Sequence, residues 1–172
     1  MAKNLDLKKR IREIAEEVIP VNVLEEVLFD VDSIVDSINE KIALILKTFP
    51  EAKINLDGQI KAQLLVLLHS ERIVMAAYKR YQIMMNGSGC TYLDFARYAK
   101  RNSANTFDSI FLQFLVLEAR GIKPGVQIKI VNTQNRHEVI RISRDCRVKV
   151  NKLNNKGFVP SACTVIKEEE LV

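Results

Sequence analysis

Apolar residues recur every three or four positions through the first 49 residues, which is the spacing of amphipathic helices. One helical pattern covers residues 6–20 and ends at Pro20. The next pattern has successive gaps of 4, 3, 4, 3, 4, 3 and 4 and predicts one continuous helix over residues 24–49 with an apolar seam. The seam consists of Leu24, Leu28, Val31, Val35, Ile38, Ile42, Ile45 and Phe49.

The seam of helix 24–49 has two interpretations. Val27 and Ile34 are also apolar and widen the stripe in its first half, which favours packing inside a multi-helix bundle. A seam of this length is also typical of self-association. A protein partner or a second copy of the chain therefore stays open as an alternative or additional use of this helix.

Three more helical patterns follow. Residues 53–58 are predicted to be a connector, because Asp57-Gly58 is typical of a turn. Residues 59–86 are apolar on most sides, as expected for a central helix, and the NGSG segment after them predicts a turn between helices. Thr91 with Asp94 three positions later predicts a capped helix start, and a last helix is predicted to stop at Gly121.

Beyond residue 125 the apolar period changes from helical to two, which is typical of strands. Four short strands are predicted within residues 126–131, 138–143, 147–150 and 158–166. If one face of these strands is buried, the other turns Lys129, Arg141, Arg147 and Lys149 outward. The predicted inward residues are Val126, Ile128, Ile130, Ile140, Ile142, Val148 and Val150.

These patterns predict an α+β chain. A bundle of four to five helices occupies residues 1–120 and mediates assembly, and a small antiparallel β-domain occupies residues 121–172. Within the second part, the GFVPS stretch of residues 157–161 resembles a stretch near the end of SH3 domains. The resemblance implies an SH3-like barrel. Proline-peptide recognition is not implied, because the chain has no tryptophan and has Cys163 where that family usually places a binding tyrosine.

Charge is distributed unevenly along the chain, whose net charge is +5. Residues 1–120 contain 16 Lys/Arg and 16 Asp/Glu, whereas residues 121–167 contain 10 and 2. Such asymmetry points to a polyanionic partner, with a solvated basic surface as the alternative. The acidic tail, residues 168–172, is predicted to be able to fold back over the basic strands and mask them.

Six cations of the β-domain are predicted to contact the phosphates of DNA or RNA. They are Lys129, Arg141, Arg144, Arg147, Lys149 and Lys152. A second basic element, Arg97, Lys100 and Arg101, either extends this surface or complements the dipole of its own helix. Phe158 is the single aromatic residue of residues 121–172, so contact with the backbone is favoured over the stacking of bases.

Other classes of function find no support in the sequence. Cys90, Cys146 and Cys163 form no CxxC pair, and neither His69 nor His137 belongs to a catalytic signature. The sequence therefore predicts no catalytic residue, metal site or cofactor. It also predicts no secretory signal and no membrane span, and hence a cytoplasmic, reducing location.

The resulting hypothesis is a non-enzymatic accessory protein with a helical assembly body and a basic β-domain that contacts nucleic acid. The alternative is a structural subunit of a virion, phage or secretion-type complex. In that case the β-domain and helix 24–49 would serve contacts between proteins.

Overall fold

The computed structural model describes residues 2–86, 89–101, 105–153 and 156–167, with side chains from residue 5 onward. Seven α-helices and one four-stranded antiparallel sheet lie within these residues, which confirms the predicted α+β class. The chain divides into two compact units, residues 1–73 and residues 74–172. No helix in the described part is long and apolar enough to cross a membrane.

The first unit is helical, and each of its helices turns an apolar face inward. The helices are α1 Ala2–Val18, α2 Val21–Val27, α3 Val31–Thr48 and α4 Leu56–Leu68. Their fully buried side chains include Ile11, Ile14, Ile34, Ile38, Ile60 and Leu64. The helix predicted over residues 6–20 is confirmed and begins earlier, at Ala2.

The continuous helix predicted over residues 24–49 is wrong, because the chain leaves the helical conformation between α2 and α3. Asp30 caps α3, and its carboxylate accepts hydrogen bonds from the Ser33 backbone N–H (3.2 Å) and hydroxyl (2.7 Å). An aspartate that satisfies the first N–H groups of a helix starts a new helix even where the apolar spacing continues. The break leaves the Phe29 side chain 80% exposed.

The apolar seam is buried only in the first half of α3. Val35 and Ile38 are buried, Ile42 and Ile45 are half-buried, and the seam ends at Phe49, which is 66% exposed. Leu44, on the flank of the same helix end, is 64% exposed. The last two turns of α3 thus present apolar surface that the first unit does not cover among its described residues.

The central helix predicted over residues 59–86 is two helices, α4 and α5 Glu71–Met84, separated at His69 and Ser70. The predicted connector at 53–58 is also wrong in its second half, because Asn55 caps α4 and accepts from the Gly58 N–H at 3.1 Å. A Cβ at position 58 would stand 2.9 Å from the Asn55 amide, so glycine permits this close cap.

In the second unit, α5 is followed by α6 Tyr92–Ala99 and α7 Ile110–Ala119. The predicted helix start at Thr91 is confirmed, since Thr91 and Asp94 form a reciprocal capping box. The predicted stop at Gly121 is also confirmed, because this residue has a φ of +67° just past the end of α7.

Aromatic rings fill the core between these three helices. Phe95 lies 4.9 Å from Phe114 and 5.4 Å from Phe111, measured between ring centroids, and Tyr81 lies 5.4 Å from Phe114. Tyr98 stacks on Phe114 at 5.6 Å. These contacts fix α6 on α7 and thereby fix the cations that α6 carries.

The C-terminal sheet has the strand order β3-β2-β1-β4. Its strands are β1 Gln127–Ile130, β2 Arg136–Ile142, β3 Val148–Val150 and β4 Cys163–Val165, with a 3₁₀ turn at Pro160–Ala162 before the last. All four predicted strands are confirmed, each shorter than or shifted from its predicted range. The sheet is open over the described residues, and its closure into an SH3-like barrel stays a prediction.

One inward position was predicted wrongly, because β2 contains a bulge. Val139 pairs with Val150 and Arg141 pairs with Lys149, so Ile140 is the extra residue between them and is 49% exposed. The bulge shifts the alternation by one position. As a result Val139 faces inward in place of Ile140, while Arg141 keeps its predicted outward position.

Helix α7 is tied to the segment that leads into β4. The Arg120 side chain donates from Nη1 to the carbonyl oxygens of Ser161 (2.8 Å) and Cys163 (2.9 Å), and more weakly to that of Pro160 (3.4 Å). The predicted change from helix to strand at residue 121 falls between α7 and β1. Whether residues 121–172 fold without α7 stays a prediction.

Candidate nucleic-acid interface

A tight turn at residues 143–147 joins β2 to β3 and holds two of the six candidate cations. The Ser143 N–H donates to the Arg147 carbonyl at 3.0 Å, and the Cys146 N–H donates to the Ser143 carbonyl at 2.9 Å. The Ser143 hydroxyl also bonds the Asp145 carboxylate. Cys146, at a φ of +64°, points into the core, while Arg144 and Arg147 are exposed.

Next to this turn, two cations face each other across the strands. Arg141 of β2 is paired in register with Lys149 of β3. Residues directly opposite in an antiparallel pair have Cβ atoms about 5 Å apart, and like charges in such positions destabilise the sheet. The outward face therefore concentrates positive charge at this point.

Gly157 leaves room for a third cation, Arg147, beside Lys149. The chain pairs Phe158 with Val148, which sets Gly157 against the start of β3. A Cβ at position 157 would lie 2.7 Å from the Arg147 Cβ and 3.2 Å from the Lys149 Nζ. Because glycine has no side chain, the base of the Arg147 side chain and the ammonium group of Lys149 can both lie over it. We call Arg141, Arg144, Arg147 and Lys149 the hairpin cluster.

The other two predicted residues lie apart from the hairpin cluster. Lys129 of β1 is opposite Arg136, at the far end of β2. Lys152 follows Asn151, whose side chain accepts from the Glu138 N–H at 3.0 Å near that same end. At a rise of about 3.3 Å per residue, Arg136 lies about 15 Å from Arg141 along the strand. The six predicted residues thus form two groups.

Carboxylates lie near the hairpin cluster but form no close ion pair with it in the described part of the chain. Arg141, Arg144 and Arg147 are exposed and Lys149 is half-buried. No ion pair within 4.0 Å involves any of the four among the residues that the structure describes. Glu138 lies on the same outward face of the sheet, at its opposite end.

A cavity of about 240 Å³ lies beside the turn, between it and the first turn of α7. Its wall combines Arg147 with two carboxylates, Asp108 and Asp145, and the buried thiol of Cys146. This mixture of charges does not favour an anion inside the cavity. Burial raises the pKa of the Cys146 thiol, which leaves it neutral and a weak nucleophile.

The pKa values of the other two thiols, Cys90 and Cys163, are raised as well. Burial is the main cause that raises the pKa of Cys90, and burial raises the pKa of Cys163 to about 11. All three cysteines are buried and form no disulfide with one another. Within the described residues, no group of three His, Cys, Asp or Glu side chains is placed to hold a metal ion.

Sequence reasoning found the outward cations of the strands and missed their division into two groups. The pairing within the hairpin cluster follows from the length of the β2–β3 turn, which sets the register and so places Arg141 opposite Lys149. The bulge at Ile140, in contrast, is not indicated by the alternation of apolar and polar residues along β2. The predicted masking tail, residues 168–172, lies outside the described residues.

Comparison of the chain with protein-family models, with curated proteins and with solved structures gives no match.

Proposed function

We propose that this protein binds the sugar-phosphate backbone of nucleic acid through the hairpin cluster. The observation that carries the proposal is the placement of Arg141 directly opposite Lys149, with Arg147 packed beside Lys149 over Gly157. A sheet that places like charges in contact is less stable than one with an opposite-charge pair. A bound polyanion removes that repulsion and releases its own counterions.

The chemistry of the surface favours phosphate contact over base recognition. Arginine offers a planar fork of donors that fits phosphate oxygens, and three of the four cluster residues are arginines. The single aromatic side chain of residues 121–172, Phe158, is half-buried beside β3. Since base stacking needs exposed aromatic rings, the cluster is suited to binding that depends on charge and is tolerant of sequence.

Binding of a fluorescent duplex to the full chain, followed by anisotropy, tests the proposal. The double variant Arg141→Gln/Lys149→Gln removes two cluster charges, and Lys41→Gln/Lys47→Gln removes two exposed charges from α3 as a matched control. We expect the cluster variant to bind about tenfold more weakly near physiological salt. The slope of log affinity against log salt should become shallower by about 2, because each phosphate that a cation neutralises contributes about 0.9 to the slope.

The control variant is expected to bind within about twofold of the wild type, because Lys41 and Lys47 belong to α3 of the first unit and not to the hairpin cluster. Equal affinities for the wild type and the cluster variant would refute the proposal. So would the absence of wild-type binding at low salt, and an acidic protein surface would then be the partner to test.

A second candidate function is assembly through α3, which the exposed apolar end of that helix favours. Leu44 and Phe49 are largely exposed, and Ile42 and Ile45 continue the buried seam without full cover. Apolar side chains grouped in this way are typical of protein contact surfaces. Under this proposal the protein is a structural subunit, and its mass in solution at rising concentration is the test.

A further inference from the structure

Helix α6 packs on α7, and the 143–147 turn faces the start of α7 across a cavity. Tyr98 stacks on Phe114 from the α6 side. From the sheet side, Asp145 and Cys146 form one wall of the cavity whose other wall includes Ile110 of α7. The cations of α6 and those of the hairpin cluster therefore lie on two elements next to the same helix, α7, inside the second unit.

Electrostatic effects agree with this proximity. Hydrogen bonds from the Thr91 backbone and hydroxyl are the main cause that lowers the pKa of Asp94, at the start of α6. The positive charges of Arg144, in the turn, and Arg97, in α6, lower the pKa of Asp94 further. One carboxylate thus lies within reach of the field of a cation from each element.

The Arg101 side chain is oriented by a contact with an aromatic ring. Its guanidinium lies over the Tyr98 ring, 4.8 Å from the centroid. Stacking of this kind occupies the face of the guanidinium and leaves the N–H donors at its edge for another acceptor. Arg97 and Lys100 lie on the same short helix and its cap, and Lys100 is exposed.

Three carboxylates lie in this region, Asp94, Asp145 and Asp108, and the first two accept hydrogen bonds from their own segments. Asp94 accepts from the Thr91 N–H at 3.2 Å and from the Thr91 hydroxyl at 3.1 Å, and Asp145 bonds the Ser143 hydroxyl. The same region contains the three cations of α6 and the four of the hairpin cluster. The surface therefore keeps a large excess of positive charge.

We propose that the α6 cations and the hairpin cluster form one continuous surface whose ligand is double-stranded nucleic acid. This inference rests on the proposed function. The cations come from a helix packed through its aromatic core and from a hydrogen-bonded turn, so they fit phosphates that stand at fixed separations. A duplex is stiff over the length of such a surface. A single strand would lose conformational entropy and gain little from base stacking, since Phe158 and Tyr92 are half-buried and Tyr98 is buried.

The test compares three probes of equal length: duplex DNA, duplex RNA and one DNA strand alone. The variant Arg97→Gln/Lys100→Gln/Arg101→Gln removes the α6 charges, and Lys9→Gln/Lys41→Gln/Lys47→Gln removes three exposed charges from the first unit. We expect the α6 variant to bind either duplex at least about fivefold more weakly, with a salt slope shallower by about 2 to 3, at about 0.9 per neutralised phosphate. The wild type should bind duplex at least about tenfold more tightly than the single strand.

A charge-preserving variant separates lost charge from a disturbed helix. Arg97→Lys/Lys100→Arg/Arg101→Lys removes the Arg101 stacking on Tyr98 and keeps all three charges. It should retain most of the duplex affinity. An equal loss in both α6 variants would overturn the charge argument and assign the effect to the fold of α6.

The remaining outcomes also decide between the two proposals. Wild-type affinity in the α6 variant, with weak binding in Arg141→Gln/Lys149→Gln, would overturn the extended surface and leave the hairpin cluster as the site. Equal affinity for duplex and single strand would overturn the choice of ligand. Wild-type affinity in the hairpin variant would overturn the proposed function itself. A preference between the two duplexes would identify DNA or RNA as the source of the phosphates.

Discussion

The two compact units use their cations differently. Residues 1–73 contain 10 Lys/Arg and 13 Asp/Glu, and residues 74–172 contain 16 and 8. In the first unit, three cations of α1 are held by carboxylates of other helices: Lys8 by Asp32, Arg10 by Asp57 and Arg12 by Glu25. In the second unit, the hairpin cluster has no carboxylate within 4.0 Å in the described part of the chain.

The difference separates charge that serves the fold from charge that the proposed ligand would neutralise. Arg10 forms two hydrogen bonds with Asp57 and so links α1 to α4. Arg80 and Arg120 serve the second unit in the same way, through Glu118 and through the backbone before β4. Within the described residues the hairpin cluster has no such carboxylate for its charge, so an external anion would relieve its repulsion.

The largest expected effect concerns a cation of the second unit that serves the fold. Arg120→Met removes the donors to three carbonyl groups, and we expect the free energy of unfolding to fall by about 1.5–3 kcal/mol. Chemical denaturation measures this loss. Lys123→Met, a nearby exposed lysine, is the control and should change stability by less than about 0.5 kcal/mol.

Duplex affinity distinguishes Arg120 from the hairpin cluster. Measured where the variant is folded, Arg120→Met should bind nearly as well as the wild type, because its guanidinium faces the Pro160–Ala162 turn. Unchanged stability together with weakened duplex binding would place Arg120 in the binding surface and contradict this division of roles.

A smaller effect is expected in the first unit and depends on pH. Hydrogen bonding to Arg10 is the main cause that lowers the pKa of Asp57. A carboxyl group whose pKa is lower in the folded state than in the unfolded state stabilises the fold at any pH above its unfolded-state pKa. This contribution is lost as the pH falls through the folded-state pKa. Asp57→Asn should therefore flatten the loss of stability below about pH 4.

Denaturation curves between neutral and acidic pH measure this effect. Asp36→Asn, an exposed carboxylate of α3, is the matched control and should follow the wild-type profile more closely than Asp57→Asn does. If the free energy of unfolding falls equally with acidic pH in Asp57→Asn and in the wild type, the ion pair between α1 and α4 does not stabilise the first unit.

The smallest effect on stability is expected at the end of α3. Because Leu44 and Phe49 are largely exposed, Leu44→Ser/Phe49→Ser should change the free energy of unfolding by less than about 0.5 kcal/mol. If assembly occurs through this surface, the variant should have a lower mass than the wild type in sedimentation at the same concentration. A strictly monomeric wild type would remove assembly as a function of α3.

The elements of this chain follow from local patterns, whereas the breaks and the site do not. The capping box at Thr91, the stop at Gly121 and the strand alternation are encoded within a few residues of each feature. The break at Asp30 was missed because the apolar spacing continues through it, although an aspartate before Val31 is itself a cap signal.

The site required information that no local pattern contains. The outward position of Arg141 was predicted, but its partner Lys149 depends on the register that the 143–147 turn sets. The approach of α6 to the 143–147 turn depends on the packing of Tyr98 on Phe114 of α7 and on the position of the turn across the cavity from α7. Such contacts between distant segments arise only from the tertiary fold.

The central claim is that the hairpin cluster exists for a ligand and at some cost to the fold, and Lys149→Glu tests it most directly. This change places a carboxylate opposite Arg141, so the free energy of unfolding should stay equal or rise by about 0.2–1 kcal/mol. Affinity for a duplex, measured on the same preparation, should fall by at least about tenfold. A fall in stability with unchanged affinity would contradict the account and make Lys149 a structural residue of the sheet.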